Sequence, residues 1–247
     1  MSLWIKICAN TSLEDTLMAV EAGANAVGFV FAPSPRKVTP MQVAAIVKHL
    51  PATVEKIGVF VDASLDEIYT TVRECGLTGV QLHTEADPKL PAKLRAHLGP
   101  EVRILRVVHF GEEAAIKAAR IAKDANVDAI LVDSRTAAAV GGTGVAFDWA
   151  AARKALFENV ETEKPLIAAG GLSLENVADA IAILRPWGVD VASGVEDEPG
   201  RKSAFKIWAF VACARAAERG ERCPGISVKK PSLSTASFKS VDSKSAD

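Results

Sequence analysis

The chain has 247 residues, enough to bury a sizeable core as one barrel or as two small domains. Its 29 basic and 30 acidic residues give a formal net charge of −1, which argues against nucleic acid or an anionic membrane as a partner. Apolar stretches such as Ala26 to Ala32 are too short to span a bilayer, and the N-terminal residues lack a secretory pattern. We therefore expect a cytoplasmic globular protein that binds neither nucleic acid nor membrane.

The four cysteines are scattered without paired spacing, at Cys8, Cys75, Cys213 and Cys223. This pattern predicts neither a metal site nor a disulfide framework. At most one cysteine is expected to be functional, and the others to be small buried side chains.

Short apolar or β-branched runs alternate with longer segments of helical period. The predicted strands are, in chain order, Trp4–Cys8, Ala26–Phe31, Lys56–Val61, Gly79–His83, Arg103–Val108, Ala129–Asp133, Leu166–Ala169 and Val189–Ala192. The predicted helices between and after them are Leu13–Glu21, Pro40–His49, Leu65–Cys75, Lys89–Leu98, Glu112–Ala125, Asp148–Phe157, Leu174–Leu184 and Lys202–Glu218. Helix starts are marked by Thr39 before Pro40 and by Ser64 and Ser173, which occupy N-cap positions.

Strict alternation of eight strands with eight helices predicts an α/β fold with a parallel sheet and right-handed crossovers. An open doubly wound sheet and a closed barrel both satisfy this pattern, but eight regular units within about 220 residues favour a single (β/α)8 TIM barrel. Cys8-Ala9-Asn10 follows the first strand, where a dinucleotide-binding domain would have a glycine-rich turn. We assign the barrel to residues 1–222 and predict a disordered tail, rich in serine and lysine, over residues 223–247.

Two reactive side chains end predicted strands, Cys8 on the first and Asp133 on the sixth. Each alone is more often structural, as a core thiol or a turn carboxylate. Together they can face each other across the mouth of a barrel and transfer protons on two sides of a small substrate. Lys6 shares a face of the first strand with Cys8, so its ammonium is expected to favour the Cys8 thiolate.

Glycines follow the last three strands, in the segments Gly141–Gly144, Gly170-Gly171 and Ser193-Gly194. One such pair can be merely a tight turn. Barrels commonly bind phosphate with the loops after strands seven and eight, where glycine lets backbone N–H groups approach the anion. The series therefore predicts a phosphate site.

Arg36 and His83 are two further candidates for substrate contact. Arg36 lies in a loop restrained by Pro33 and Pro35, and its guanidinium suits a carboxylate or a phosphate, although a solvated surface arginine is the alternative. His83 ends the fourth strand and can equally be a structural histidine.

Taken in order, the motifs resemble those of the phosphoribosylanthranilate isomerase family from about residue 4 to about residue 218. They are Lys6-Ile7-Cys8, Gly28-Phe29-Val30-Phe31, Ser34-Pro35-Arg36, Gly58-Val59-Phe60, Val80-Gln81-Leu82-His83, Val132-Asp133-Ser134, Gly141-Gly142-Thr143-Gly144, Phe147-Asp148-Trp149, Ala169-Gly170-Gly171-Leu172 and Ser193-Gly194-Val195-Glu196. Any one of them is weakly specific, but the whole series at these spacings is highly specific.

The resemblance implies a cofactor-free Amadori rearrangement of N-(5-phosphoribosyl)anthranilate in tryptophan biosynthesis, by a monomer or a homodimer. It implies Cys8 as general base, Asp133 as general acid and Arg36 as the residue that holds the anthranilate carboxylate. It also implies a phosphate cradle formed by the backbone near Gly142, Gly171 and Ser193-Gly194.

The sequence departs from the family pattern at three positions, where the family has Gly and this chain has Ala9 and Thr84, and where the family has Asp and this chain has Ser203. If position 9 requires a positive φ, Ala9 is strained.

Three alternative functions remain. A histidine-pathway Amadori isomerase resembles two half-barrels and has Asp in place of Cys8. An indole-forming synthase subunit has a strand-end Glu that is missing here. The third alternative is a non-catalytic barrel that binds a sugar phosphate.

Overall fold

The computed structural model describes residues 2–83, 87–133, 149–158 and 160–225. Eight parallel strands close into a barrel in sequence order, which confirms the predicted (β/α)8 fold. The strands are β1 (Trp4–Ile7), β2 (Ala26–Val30), β3 (Glu55–Phe60), β4 (Gly79–Leu82), β5 (Arg103–His109), β6 (Ala129–Asp133), β7 (Leu166–Ala169) and β8 (Gly188–Val191). A short antiparallel pair, β9 (Glu196–Glu198) and β10 (Arg201–Lys202), follows β8.

In the described part of the chain, eight α-helices surround the barrel: α1 (Leu13–Glu21), α2 (Pro40–Val47), α3 (Leu65–Cys75), α4 (Leu90–Leu98), α5 (Ala114–Ala122), α6 (Trp149–Ala152), α7 (Val177–Leu184) and α8 (Ala204–Glu218). The predicted ends differ from the observed ones by at most three residues, apart from the sixth helix, which continues as a π-helix over Arg153–Glu158. The predicted start of that helix, at Asp148, lies outside the described residues.

Helix caps explain both the agreement and the main error in these boundaries. Thr39 and Ser64 form capping boxes at the starts of α2 and α3, as their positions predict. Ser173 does not cap a helix directly, because the Asn176 side chain accepts a hydrogen bond from the Ser173 N–H at 2.8 Å. That bond holds a turn ahead of the helix, and α7 therefore begins three residues later than predicted.

Alternation along the strands divides the core into two apolar layers. Side chains such as Ile5 and Ile7 point outward and pack under the helices. The residues that alternate with them fill the barrel interior with a smaller apolar cluster: Trp4, Ala26, Ile57, Leu105, Val107, Ala129, Leu131, Ile167 and Ala169. Cys8 shares the parity of Trp4, so it reaches the upper end of the interior.

An aromatic and ionic cluster closes the lower end of the barrel. The Arg103 guanidinium lies 4.9 Å from the ring centroid of Trp187 and 5.8 Å from that of Trp4. Glu55 accepts hydrogen bonds from Arg103 at 2.8 Å and from the Trp4 indole at 3.0 Å. These contacts leave the site to form at the opposite end.

The prediction that no cysteines pair was wrong, because the structure joins Cys213 in α8 to Cys223 in a disulfide, with Cα atoms 4.4 Å apart. The chain reverses after α8 through Gly220, whose φ is 71°, and this turn returns Cys223 to the helix. The two cysteines are ten residues apart, and this spacing alone does not predict the turn that brings them together. Cys223 is thus attached to the barrel, whereas the predicted disorder of the segment beyond residue 225 lies outside the described residues.

Among the residues that the structure describes, no helix is both long and apolar enough to cross a bilayer.

Two phenylalanines of α8 provide a test of the outer core. Phe210 is fully buried and Phe205 is 40% exposed. We expect Phe210→Ala to lower the free energy of unfolding by about 3–5 kcal/mol, since it leaves a cavity in the core. The matched change Phe205→Ala should cost about 1 kcal/mol or less. Urea unfolding followed by circular dichroism measures both, and equal losses would contradict the assigned packing of α8.

Candidate active site

A cavity of about 290 Å³ opens at the carboxyl ends of the strands, where barrels place their functional groups. Seven of the predicted site residues line it together: Cys8, Arg36, His83, Asp133, Gly170, Gly171 and Ser193. The predicted Gly142 lies outside the described residues. Residues from loops far apart in sequence therefore meet at one site, as the strand-end positions indicate.

Cys8 follows β1 directly and is 5% exposed. The fully buried Lys6 lies on the same face of the strand, as predicted from their spacing. Burial raises the pKa of the Cys8 thiol, and the Lys6 ammonium opposes this rise without cancelling it. Lys6 lowers the pKa of Cys8, as predicted, but desolvation raises this pKa by more than Lys6 lowers it.

The backbone around Cys8 is tightly constrained. Ala9 has a φ of 62°, in the left-handed region that disfavours a side chain with a Cβ. On the neighbouring strand, a Cβ added to Gly28 would lie 2.6 Å from the Cys8 Sγ, so only glycine leaves room for the thiol there. Ala9 is therefore strained, as the departure from the family pattern predicts, while Gly28 is required by the thiol itself.

Asp133 ends β6 and is 2% exposed, although it lines the cavity. Its carboxyl group reaches the cavity because it shares the inward parity of Ala129 and Leu131 on the same strand. A nearly buried carboxyl group and a nearly buried thiol thus face one space.

Arg36 belongs to a group of three charged side chains at the edge of the cavity, which we call the rim cluster: Arg36, Glu196 and Lys202. Arg36 donates to the Glu196 carboxylate from Nε at 2.9 and 3.0 Å and from Nη2 at 2.6 Å. The buried Lys202 ammonium donates to the same carboxylate at 3.1 Å and to the Ala192 carbonyl at 3.0 Å. Burial alone would raise the pKa of Glu196, but the bonds from Arg36 and Lys202 together lower it.

The rim cluster carries two cations and one anion, so it presents one net positive charge to the cavity. The planar guanidinium is also held by a two-oxygen partner, which fixes its orientation. Arg36 is therefore an ion-paired residue at the edge of the cavity rather than a solvated surface arginine.

His83 follows β4 and lines the cavity beside Gln81. The Gln81 Nε2 lies 2.9 Å from the His83 Nε2, which accepts from the amide in the tautomer protonated on Nδ1. The His83 and His109 ring centroids are 5.9 Å apart. The contact with Gln81 on β4 thus orients the His83 ring, which lines the cavity.

The loops after β7 and β8 pack against each other at the cavity. Gly170 and Gly171 have φ values of 82° and 62°, which suit glycine and few other residues. A Cβ on Gly194 would lie 1.9 Å from the Leu172 carbonyl oxygen, so the two loops touch where a side chain would separate them. Gly194 lies in the 3₁₀ turn Ser193–Val195, at whose start Ser193 lines the cavity. The predicted glycine positions thus form one surface of closely packed backbone.

Several residues of the site were not singled out from the sequence: Gln81, Asn176, Asp190, Glu196 and Lys202. Asp190 and Gln81 line the cavity, and the Asn176 side chain donates to the Gly171 carbonyl at 2.9 Å. The signal that finds Gln81 is strand parity, since it lies two residues before His83. Asp190 is found by its register with Lys6 on the neighbouring strand. The partner of Glu196, Arg36, comes from a distant loop, and Lys202 meets Glu196 only through the pairing of β9 with β10.

Comparison with known proteins identifies the family of this chain. The family model for N-(5'-phosphoribosyl)anthranilate isomerase matches residues 5–213. The chain belongs to this family. An isomerase of that name from Pelobacter propionicus is 42% identical over 212 residues, covering 85% of this chain and 95% of the relative. One from Geobacter sp. strain M21 is 44% identical over 212 residues, covering 85% and 97%.

Solved structures of the family agree with the architecture. Phosphoribosyl anthranilate isomerase from Thermotoga maritima has a TM-score of 0.74 at 34% identity, over 87% of this chain and 99% of that chain. A structure of such an isomerase in complex with reduced 1-(o-carboxyphenylamino)-1-deoxyribulose 5-phosphate has a TM-score of 0.72 at 33% identity, over 87% and 99%. Family membership therefore extends over nearly all of the barrel.

The strain at Ala9 leads to a stability prediction. Glycine relieves a positive φ, so we expect Ala9→Gly to raise the free energy of unfolding by about 1 kcal/mol. The control Ala19→Gly, inside α1, should lower it by about 1–2 kcal/mol, because the helix penalty of glycine adds to the loss of a buried methyl group. Thermal and urea unfolding of both variants measure the difference. A loss of stability in Ala9→Gly would show that position 9 does not have the strained backbone.

Proposed function

We propose that this member of the family rearranges N-(5-phosphoribosyl)anthranilate to 1-(2-carboxyphenylamino)-1-deoxyribulose 5-phosphate with Cys8 as general base and Asp133 as general acid. The observation that carries the assignment is that the two side chains line one cavity at the carboxyl ends of β1 and β6. A ring-opening isomerisation needs one proton delivered and one removed, and the cavity offers a group for each.

The first step opens the sugar ring. The lone pair of the anthranilate nitrogen forms a double bond to C1, and the bond between C1 and the ring oxygen breaks. Asp133, protonated at the outset, gives its proton to that oxygen. The products of the step are a protonated Schiff base and the Asp133 carboxylate.

The second step moves the double bond. Cys8, as the thiolate, takes the proton from C2, and the electrons of that bond form C1=C2 while the Schiff-base pair returns to nitrogen. The enolamine then loses its C2 hydroxyl proton and gains a proton at C1, which gives the ketone. Cys8 ends as the thiol and Asp133 as the carboxylate, so one proton must pass from thiol to carboxylate, through solvent or directly, before the next turnover.

The remaining site residues bind the substrate in this proposal. Arg36, held by the rim cluster, binds the anthranilate carboxylate. The glycine-bearing loops after β7 and β8, with Ser193, hold the phosphate through backbone N–H groups. Gly142 is assigned to the same cradle from the family resemblance alone. His83, which lines the same cavity, contacts the substrate in this proposal.

We further propose that the chain works as a monomer or a homodimer in the cytoplasm, without a cofactor. One solved relative, from Thermotoga maritima, is described as a dimeric isomerase from which monomers were generated. The substrate is a small molecule that the cavity can enclose in part, because 290 Å³ lies at the lower end of the range for ligand pockets.

Replacement of either proton-transfer group tests the mechanism. We expect Cys8→Ala and Asp133→Asn each to lower kcat at least about 10²-fold, the usual contribution of a positioned acid or base. The measurement is conversion of freshly prepared phosphoribosylanthranilate, followed by loss of its anthranilate fluorescence. Cys75→Ala, which removes the other free cysteine, and Asp128→Asn, which removes a carboxylate paired with Arg95, should retain turnover.

Ligand binding separates a lost reaction from a lost site. Both inactive variants should still bind the reduced product analogue, because the proposed anchors are intact. A wild-type protein that binds this analogue but converts no substrate would instead indicate a barrel that retains its ligand without the chemistry.

Arg36 provides a separate test of the carboxylate anchor. We expect Arg36→Met to raise KM by about 10- to 100-fold with a smaller change in kcat, the scale of a hydrogen bond to a charged group. The exposed neighbour Lys37, changed to Met, removes a charge from the same loop and should leave KM within about twofold. An analogue lacking the carboxylate should bind the wild type and Arg36→Met equally. If Arg36→Met weakens binding of this analogue by the same factor by which it raises KM, Arg36 does not bind the carboxylate.

A further inference from the structure

At the floor of the cavity lie two oppositely charged residues that the proposed mechanism does not use, Lys6 and Asp190, which we call the buried pair. The Lys6 Nζ donates to the Asp190 Oδ1 at 3.0 Å and to the Gln81 Oε1 at 2.9 Å. Strand register accounts for the meeting, because Lys6 of β1 is the direct partner of Asp190 of β8. Lys6 is fully buried, whereas Asp190 lines the cavity.

The same ammonium lies beside Cys8. A Cβ built on Gly28 would be 2.6 Å from the Cys8 Sγ and 3.0 Å from the Lys6 Cε, so these two atoms are at most 5.6 Å apart, the sum of the two distances. An ammonium one bond beyond that Cε is within range to stabilise a thiolate. One buried cation thus has two acidic neighbours.

We propose that Asp190 sets how readily Cys8 ionises, because the Asp190 carboxylate and the Cys8 thiolate share the single ammonium of Lys6. Lys6 and Asp190 are then positioning residues for the general base. The inference rests on the proposed role of Cys8. It extends that role by assigning the second acidic partner of the Lys6 ammonium.

The competition follows from simple charge counting. When Cys8 is a thiol, the buried pair is neutral and its desolvation cost is offset by the ion pair. When Cys8 ionises, two anions surround one cation and their mutual repulsion is added. Loss of the Asp190 charge leaves Lys6 to the thiolate alone, whereas loss of the Lys6 charge leaves the thiolate beside an unpaired carboxylate.

Other charges face Cys8 from the surrounding elements, and none of them replaces Lys6. From β10, Lys202 favours the thiolate, but its ammonium is bonded to Glu196. From β6, Asp133 lies near enough to Asp190 to raise its pKa. The loop after β2 contributes Arg36, which is engaged with Glu196, and the titratable His83, which follows β4, is bonded to Gln81.

The electrostatic directions agree with this geometry. Burial raises the pKa of Cys8, Lys6 lowers it, and Asp190 raises it further. Burial also raises the pKa of Asp190, against the effect of Lys6. For Lys6, burial acts to lower the pKa, but the Asp190 and Cys8 charges together raise it. Lys6 therefore stays protonated while its two neighbours compete.

Three variants make the test: Lys6→Met, Asp190→Asn and the double variant. We expect the pH midpoint of Cys8 alkylation by iodoacetamide, read at Cys8 by mass spectrometry, to rise by about one unit or more in Lys6→Met. It should fall by about one unit or more in Asp190→Asn and return between these values in the double variant. The acidic limb of the kcat/KM profile should shift in the same directions, since the base must be ionised.

Controls keep this result separate from folding and from the proposed reaction. Asp128→Asn removes an ion-paired carboxylate outside the cavity and should leave the alkylation midpoint unchanged. If Lys6→Met does not fold, the sign of the shift in the isosteric Asp190→Asn decides the question. A rise or no shift in Asp190→Asn would overturn the inference even if turnover is normal. Absence of turnover in the wild type would instead overturn the proposed function.

Discussion

Alternation of side chains along the strands of a closed barrel is the constraint on which the site depends. Every second residue of a strand points to the axis, so the inward residues of β1 are Trp4, Lys6 and then Cys8 after the strand. Trp4 lies at the lower level of the barrel interior among apolar side chains, Lys6 carries its charge at the middle level, and Cys8 lies at the upper level beside the cavity. A charge at the middle level must find its partner on another strand at the same height, and the register with β8 supplies Asp190. A shift of one residue in β1 would turn Lys6 and Cys8 toward the helices together.

The upper edge of the site is assembled differently, by contacts between loops. The β9–β10 hairpin brings Glu196 to Arg36, and its Gly200 carbonyl accepts a hydrogen bond from Thr11 at 2.5 Å. The loops after β1, β2 and β8 are therefore joined above the barrel. Such contacts stabilise the guanidinium in one orientation before a ligand arrives, which lowers the entropic cost of binding. The position of Arg36 is a property of three loops rather than of the restrained loop that carries it.

The sequence predicted what depends on local pattern. Periodicity located all eight strands to within a residue or two at each end, and strand-end position identified the side chains that the structure gathers at the cavity. It did not predict the Cys213–Cys223 disulfide, because a turn after α8 decides which side chains meet. It did not reveal that burial raises the pKa of Cys8 by more than Lys6 lowers it, since desolvation depends on everything packed around a group. Pairings between distant segments and the balance of opposing electrostatic effects are properties of the folded chain.

The buried pair and the rim cluster differ in net charge. The buried pair is neutral, whereas the rim cluster has one net positive charge. In the proposed mechanism, the substrate carboxylate neutralises the rim cluster, and from then on that cluster adds little to the stability of a thiolate at Cys8. Cys8, as the proposed base, must nevertheless ionise in the presence of substrate, when the proton on C2 is to be removed. The cation that remains for this purpose is Lys6, which the substrate does not reach because it is fully buried. A rim charge for the ligand and a buried charge for the base can thus act in the same turnover without competing for one anion.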